Sequence, residues 1–145
     1  MTQTRYRIVD PDKWTRLFLD ANILFSASYR RDAGLAQLWQ LPGTILCSSH
    51  YTLQEAAINL TEDAQRRRLA KLARRVRLFD AAPRELPTGL SLPEKDVPIF
   101  LAALEAKAAH LITGGVRHFG RYFCQQIEGI LILSPADYLN KRRKH

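Results

Sequence analysis

The sequence has little cysteine and no long apolar run. Cys47 and Cys124 are its only cysteines. Because the sequence has only these two cysteines, no CxxC pair and no histidine at metal-ligand spacing, a disulfide framework and a cysteine zinc site are excluded. We expect both cysteines to be small buried side chains. No apolar stretch approaches the roughly 18 residues of a membrane span, and the first residues are polar where a secretory signal is apolar. We therefore expect a soluble, cytoplasmic protein with no membrane partner.

Acidic residues are scarce relative to basic ones. The chain carries 14 Asp and Glu against 22 Lys and Arg, which gives a formal net charge of +8 and a pI near 9.9. This excess favours a polyanionic partner, nucleic acid first, although an inert basic surface explains the charge equally well. A length of 145 residues with 46% hydrophobic content suits a single core. We predict one domain over residues 1–139 and a basic C-terminal tail over 140–145.

Short apolar runs alternate with segments of helical pattern. The runs, which are apolar on both faces as strands of a covered parallel sheet are, occupy residues 16–20, 45–47, 76–79, 111–113 and 130–133. Between them, apolar residues recur at helical spacing behind capping residues. Strands separated by helices imply right-handed crossovers. The sequence thus predicts an α/β fold, a three-layer α/β/α sandwich with a central, mainly parallel sheet.

Three acids are placed to meet at one edge of this sheet. Asp20 directly follows the first strand, Glu55 lies in the early turns of the helix after the second, and Asp96 opens a later helix. Each has an ordinary alternative, because Asp20 and Asp96 suit helix N-caps and Glu55 can complete a capping box with Thr52. Ligands of open α/β sheets bind outside the carboxyl ends of the strands. The acids are therefore also candidates for one shared site, in which Asn22 could orient Asp20.

The chemistry of such a site follows from its charge. Carboxylates gathered at one edge repel one another unless a cation or a basic ligand lies between them. Oxygen-only ligands suit Mg²⁺ or Mn²⁺, and such an ion can activate water and stabilise the charge that develops during phosphodiester cleavage. A phosphatase of the haloacid dehalogenase type also begins with a strand and an Asp, but it needs a second Asp where this chain has Asn22.

Segments along nearly the whole chain resemble the motifs of PIN-domain ribonucleases, especially the single-domain toxins of toxin–antitoxin pairs. They are LFLDANILFSA at 17–27, SSHYTLQE at 48–55, LPEKDVPI at 92–99, LITGGVRHF at 111–119 and GILILSPADYL at 129–139. The resemblance implies a PIN-like fold, a metal-dependent endoribonuclease, an antitoxin partner and a homodimer. It also implies that Asp20, Glu55 and Asp96 are the catalytic ligands of Mg²⁺ or Mn²⁺. Asn22 and Thr113 would support these ligands.

The fourth of these motifs lacks an acid. Family members usually carry one where this chain has Gly115, so we expect weaker metal affinity and slower cleavage. Three explanations are open: Asp32 or Glu94 replaces the missing carboxylate, the protein is a catalytically impaired PIN-fold module that binds RNA or protein, or Gly115 was introduced or acquired in this chain. The pair Gly114-Gly115 also suits a sharp turn. His118 is more typical of a packed, hydrogen-bonded residue than of a ligand.

Basic residues crowd one predicted helix. Arg66, Arg67 and Arg74 lie with other bases on its polar face, where few acids alternate with them. Such a run usually marks a solvated face. The repulsion between its charges nevertheless favours RNA or an acidic antitoxin as a partner.

Further candidates for RNA contacts surround the fourth motif. Arg117 and Arg121 flank this loop and could clamp a phosphate near the metal. Tyr51 and Phe119 could stack on an unpaired base, although packing in the core is more typical of both.

Overall fold

The computed structural model describes residues 14–143, apart from the side chains of Val116 and Arg117. The strands are β1 Thr15–Leu19, β2 Thr44–Ser48, β3 Arg77–Leu78, β4 His110–Ile112, β5 Gln126–Ile127 and β6 Ile130–Leu133. The helices are α1 Ala21–Tyr29, α2 His50–Asn59, α3 Asp63–Ala73, α4 Val97–Glu105, α5 Val116–Phe119 and α6 Pro135–Arg143. Short 3₁₀ helices span Gly34–Gln40, Glu94–Asp96 and Gly120–Tyr122.

The strands form one sheet in the order β3-β2-β1-β4-β6-β5. Neighbouring strands from β3 to β6 are parallel, whereas the edge pair β5 and β6 is antiparallel. Each predicted apolar run overlaps one of these strands, and the predicted mainly parallel sheet is confirmed. Strand β5 was not predicted, because it is only two residues long and has no apolar run of its own.

Side chains of the central strand alternate between two apolar layers. Leu17 and Leu19 pack with residues of α1, α2, α3 and α6 on one face of the sheet, while Phe18 packs with residues of α4 on the other. All of these strand side chains are fully buried. Because both faces are covered, the strands are apolar at nearly every position. The three-layer architecture predicted from the sequence is thereby confirmed.

Strands β1 and β4 lie side by side at the centre of the sheet, although they are distant in sequence. The chain leaves β1 for β2 on one side and later returns to β4 on the other. The register pairs Leu19 with Ile112, so the two strands end together. Open α/β sheets bind ligands in the crevice at such a switch point. Asp20 and Thr113, the residues that follow these strands, both lie at this crevice.

Some expectations about the rest of the chain need revision. Cys47 is buried, but Cys124 is exposed, so the expected burial of both cysteines was wrong for Cys124. Helix α6 continues to Arg143, so residues 140–143 of the predicted tail form its last turn. Residues 1–13 and 144–145 lie outside the described part of the chain. Within residues 14–143, no helix is both long enough and apolar enough to cross a bilayer.

Candidate active site

Asp20 lies at the carboxyl end of β1 and begins helix α1. Its main-chain N–H donates to the carbonyl of Ile112 at 3.1 Å, which extends the pairing of β1 with β4. Its Oδ1 accepts a hydrogen bond from the Ala21 N–H at 2.7 Å, so the side chain also caps the helix. The residue is only 4% exposed. Asp20 is therefore an N-cap and, at the same time, a buried carboxylate at the switch point.

Asn22 and Thr113 hold the Asp20 carboxylate in place. Thr113 Oγ1 donates to Asp20 Oδ2 at 2.7 Å, and Asn22 Nδ2 lies 3.4 Å from both of these oxygens. The loop after β4 closes the network, because the Gly114 N–H donates to Asn22 Oδ1 at 3.0 Å and the Gly115 N–H donates to Thr113 Oγ1 at 2.9 Å. These contacts join the first and fourth motifs and fix the orientation of Asp20.

Glu55 reaches the crevice from α2, whose first turn is capped without it. Ser49 Oγ accepts from the Thr52 N–H and Thr52 Oγ1 accepts from the Ser49 N–H, both at 3.1 Å. The suggested capping box between Thr52 and Glu55 is therefore wrong, because Ser49 is the N-cap and the helix begins about one turn earlier. The Glu55 carboxylate takes no part in capping this helix.

The surroundings of Glu55 carry charges of both signs. Partial burial raises the pKa of the Glu55 carboxyl above its ordinary value, and the negative charge of Asp20 adds to the increase. The Lys95 ammonium acts in the opposite direction, while Asp96 raises the pKa further. Glu55 thus lies within electrostatic reach of two other carboxylates and one cation.

Asp96 lies just before α4 and is 4% exposed. It occupies the N-cap position that the sequence suggested, but its side chain makes no capping hydrogen bond to that helix. Its Oδ2 instead lies 2.5 Å from Nδ1 of His118 in α5. His118 is thus a hydrogen-bonded residue, as expected, and it ties the start of α4 to the loop that follows β4.

The acids line one cavity of about 490 Å³ at the switch point. The residues around them are Ala21, Asn22, Phe25, Asn59, Lys95, Ile99, Gly115 and His118. Burial raises the pKa of the Asp20 carboxyl above its ordinary value, against the hydrogen bonds from Thr113 and Ala21, and the charge of Asp96 adds to the increase. The structure therefore brings Asp20, Glu55 and Asp96 together, and their like charges destabilise one another. We call this space the acid cavity.

The donors in the acid cavity suit a hydrated Mg²⁺ or Mn²⁺ ion. Within the described residues, no three His, Cys, Asp or Glu side chains are arranged as a ready-made metal site. Both oxygens of Asp20 already accept a hydrogen bond, Oδ1 from the Ala21 N–H and Oδ2 from Thr113 Oγ1. One oxygen of Asp96 lies against His118 Nδ1. Mg²⁺ prefers carboxylate oxygens, keeps several of its waters and usually needs only one or two carboxylates. The chemistry of the donor set therefore fits such an ion, bound in part through its own waters.

Comparison with solved structures identifies a similar fold. A chain in the crystal structure of VapBC2 from Rickettsia felis, bound to a DNA fragment from their promoter, matches with a TM-score of 0.62 and 18% sequence identity over 83% of this chain and 98% of that chain. The fold is PIN-like. No protein-family model and no curated protein sequence matches the chain. At this identity the likeness shows the fold alone, and membership in the PIN-domain family stays a prediction.

Gly115 lines the acid cavity at the position where PIN domains were expected to carry their fourth acid. Neither Gly114 nor Gly115 has a positive φ, so the φ values of this loop do not require glycine. A Cβ at Gly115 would lie 3.2 Å from Thr113 Oγ1 and 3.5 Å from Asn22 Nδ2. A side chain there requires Thr113 Oγ1, which is buried and hydrogen-bonded to Asp20, to move by a few tenths of an ångström.

Neither of the acids considered as substitutes takes the place of the missing carboxylate. The Asp32 side chain is 88% exposed and lies 4.0 Å from Arg30, and Glu94 lines a neighbouring cavity. Neither is among the residues that line the acid cavity. The explanation that Asp32 or Glu94 replaces the acid is therefore not supported in this conformation. His118, from the same motif as Gly115, also lines the cavity.

Four of the five basic residues predicted to contact RNA lie outside the lining of the acid cavity. Arg66 and Arg67 are exposed on α3, Arg74 is exposed at its end, and Arg121 is exposed after α5. None of these four lines the cavity. The side chain of Arg117 lies outside the described part of the structure. Their contacts with RNA stay a prediction.

Two polar residues of the acid cavity were not predicted from the sequence. Asn59 lies one helical turn after Glu55 on α2, and its Nδ2 donates to the Glu55 carbonyl at 3.1 Å. The i, i+4 spacing was a signal that could have found it. Lys95 precedes Asp96 in a 3₁₀ turn, and no local pattern predicts that its charge acts on Glu55.

Proposed function

We propose that this protein is a divalent-metal-dependent endoribonuclease of the PIN type and the toxin-like member of a toxin–antitoxin pair. The observation that carries the proposal is the convergence of Asp20, Glu55 and Asp96 on one cavity at the switch point of the sheet. The similarity in fold to a chain of VapBC2 supports the same interpretation. The net charge of +8 suits a polyanionic substrate.

The acids of the cavity are proposed to hold the metal. Asp20, Glu55 and Asp96 bind a hydrated Mg²⁺ or Mn²⁺ ion, which relieves their mutual repulsion. Such an ion, when bound, lowers the pKa of a coordinated water and stabilises negative charge at a reacting phosphate. Lys95 is exposed at the cavity, and its ammonium attracts an RNA phosphate toward the acids.

Other residues keep the acids in position. Thr113 and Asn22 fix one oxygen of Asp20 through hydrogen bonds, and His118 fixes one oxygen of Asp96. Groups that orient metal-binding side chains usually contribute about 10- to 100-fold to metal affinity or activity. We therefore assign Thr113, Asn22 and His118 positioning roles.

A second candidate function is an RNA- or protein-binding module with an impaired catalytic site. Two observations favour it. Gly115 leaves the cavity without a fourth carboxylate, and within the described residues no ready-made metal site is present. This alternative keeps the fold and the basic surface but removes the cleavage reaction.

The two functions are separated by an RNA cleavage assay. The protein is incubated with single-stranded RNA and Mn²⁺ or Mg²⁺, beside Asp20→Asn and Gly115→Asp, with Asp32→Asn as a matched control outside the cavity. We expect metal-dependent cleavage that Asp20→Asn abolishes and Asp32→Asn leaves unchanged. Gly115→Asp should tighten Mn²⁺ binding by about tenfold, as judged from calorimetry, because it restores an oxygen ligand or a group that orients one.

Other outcomes point elsewhere. Cleavage by Gly115→Asp alone would identify a silenced nuclease. RNA binding with no cleavage by any variant would support the binding module. If Asp20→Asn cleaves as fast as the unaltered protein, the acid cavity is not the active site.

The proposed partners besides RNA are an antitoxin protein and a second copy of this chain. Light scattering on the purified protein measures its mass in solution and tests the homodimer directly. A mass of one chain at micromolar concentration would contradict the proposed homodimer.

A further inference from the structure

A second cavity of about 570 Å³ lies beside the acid cavity. Its lining residues are Tyr51, Ala81, Pro83, Arg84, Glu94, Lys95, Val97, Pro98 and Leu101. The volume lies within the range of about 300–1,000 Å³ that is typical of small-molecule sites. We call this space the side cavity.

The two cavities are neighbours, and they are connected through Lys95. Lys95 lines both. The Tyr51 hydroxyl donates to the Lys95 carbonyl at 2.8 Å, which fixes the ring of Tyr51 in the side cavity. Burial raises the pKa of the Tyr51 hydroxyl, and the charges of Glu55, Asp96 and Asp20 add to the increase, as expected for a group within electrostatic reach of the acids.

The lining of the side cavity suits an unpaired nucleotide. The ring of Tyr51 and the side chains of Pro98 and Leu101 offer apolar surface, on which a base can stack or pack. The cations Arg84 and Lys95 are both exposed and match the phosphates on either side of such a base. Glu94 provides an acceptor for an exocyclic amine.

Tyr51 and Phe119 were both candidates for base stacking, and the structure separates them. Phe119 is fully buried in the core, so the expectation of core packing is confirmed for it. Tyr51 is only partly buried and lines the side cavity. Of these two rings, only that of Tyr51 is accessible to a base.

We propose that the side cavity binds the base of the RNA nucleotide adjacent to the phosphodiester group held in the acid cavity. This inference rests on the proposed ribonuclease function and narrows its substrate to single-stranded RNA. A concave site beside the acids accepts a base only when it is unpaired and unstacked from its neighbours. Lys95, which lies between the two cavities, contacts the phosphate that joins this nucleotide to the next one.

The test measures RNA binding separately from cleavage. A short fluorescent RNA is titrated with the unaltered protein in EDTA, where the proposed metal-dependent cleavage does not occur, and its affinity is read from anisotropy. A matched set of oligonucleotides carries one ribose without a base at successive positions. We expect one position at which loss of the base weakens binding about tenfold, since stacking on one aromatic ring has this magnitude.

The variants assign that position to the side cavity. Tyr51→Leu removes the ring and should weaken binding of the complete RNA about tenfold, whereas Tyr51→Phe should recover most of the affinity. Ala81→Trp fills the cavity from a connection without helix or strand, so it tests the same space with little risk to the core. Tyr29→Leu, at a tyrosine that is 51% exposed elsewhere, is the control. The base-free RNA should bind Tyr51→Leu and the unaltered protein equally.

The outcomes distinguish this inference from the proposed function. If RNA is cleaved but Tyr51→Leu and Ala81→Trp bind like the unaltered protein, with melting temperatures that show them folded, the side cavity does not hold a base and the nuclease proposal stands. Base-dependent binding without cleavage by the unaltered protein supports the side cavity and contradicts the nuclease. Loss of a protein partner in Ala81→Trp, with RNA binding intact, overturns the inference in favour of a protein-docking surface. Absence of any RNA binding overturns both.

Discussion

Asp20 has two effects on the folded state that oppose each other. As an N-cap it accepts a hydrogen bond from the Ala21 N–H, and a cap of this kind typically stabilises a helix by about 1 kcal/mol. As a buried carboxylate close to Asp96 it destabilises the fold when it is ionised, which is why its pKa is raised. Asparagine is as good an N-cap as aspartate, so it should keep the first effect and remove the second.

We therefore expect Asp20→Asn to raise the unfolding temperature at neutral pH in the absence of divalent ions. An increase of about 3 °C corresponds to roughly 1 kcal/mol for a domain of this size. Thermal melting in EDTA, with Asp32→Asn as the exposed control, measures it. Added Mn²⁺ should stabilise the unaltered protein more than Asp20→Asn. A lower melting temperature for Asp20→Asn would show that the charge of Asp20 is not a source of strain.

The pH dependence of stability follows from the same two carboxyls. The pKa values of Asp20 and Glu55 are raised above their ordinary values of 3.8 and 4.5, so between the ordinary and raised values the folded state binds more protons than the unfolded state. The contribution of these two carboxyls to the free energy of unfolding should therefore fall as the pH rises through this window. The pKa of Asp80 is lowered by its hydrogen bond with His50. Asp80 therefore changes the stability only at pH values below its ordinary pKa, which lie outside this window.

The difference between the unaltered protein and Asp20→Asn isolates this contribution. Urea denaturation at a series of pH values above the ordinary pKa of Asp, in EDTA, should give curves that diverge as the pH rises, with Asp20→Asn the more stable. Parallel curves would mean that Asp20 has the same proton affinity in both states.

At the scale of the element, α2 matters because it carries Glu55. Its start is fixed by the reciprocal hydrogen bonds of Ser49 and Thr52. It is also fixed by Asp80, whose carboxylate accepts from the His50 N–H at 3.0 Å. Ser134 provides an independent comparison, because its Oγ accepts from the Asp137 N–H at 3.0 Å at the start of α6. Ser49 thus caps α2, which carries Glu55 into the acid cavity, whereas Ser134 caps α6, which does not line this cavity.

We expect Ser49→Ala and Ser134→Ala to lower the free energy of unfolding by similar amounts, about 1 kcal/mol each. Only Ser49→Ala should also slow RNA cleavage, by several-fold, because a loosened first turn lets Glu55 move. Urea denaturation and the cleavage assay provide the two measurements. Equal cleavage by both variants would show that the cap of α2 does not position the site.

The elements differ in how far the sequence could predict them. The central strands were predictable because burial on both faces requires apolar residues throughout. Strand β5 was not, because it depends on a tight turn in which Glu128 and Gly129 have φ of 52° and 85°. Such turns are usually marked by Asn-Gly or Asp-Gly, and Glu-Gly is a weaker indication. The start of α2 was ambiguous because two overlapping segments both fit a capping box.

At the scale of the whole molecule, the excess of basic residues should control RNA affinity. Affinity for single-stranded RNA is expected to fall with salt, with a logarithmic slope of about −0.7 for each phosphate that the protein neutralises. Changing Arg66, Arg67 and Arg74 together to glutamine should therefore make the slope shallower, by about 2 if all three contact phosphates. Binding titrations from low to high KCl measure it. An unchanged slope would assign these arginines to another partner or to solvent.

The placement of Asp20 beside Thr113 was accessible from the sequence because it follows from topology. Parallel strands end at the same edge, so residues that follow β1 and β4 meet wherever those strands are neighbours. The hydrogen bond from His118 to Asp96 and the side cavity were not accessible. Both depend on where the long connection between β3 and α4 runs over the sheet, and no periodic pattern determines that path.

The ordinary backbone conformation of Gly115, with room for a Cβ after a small adjustment, has an evolutionary consequence. Every glycine codon becomes a codon for aspartate or glutamate when its second base changes from G to A. The missing acid is thus a single point mutation away, and its steric cost is a movement of Thr113 Oγ1 by a few tenths of an ångström. Under the proposed function, a lineage of such chains can therefore gain or lose this carboxylate without rebuilding its scaffold.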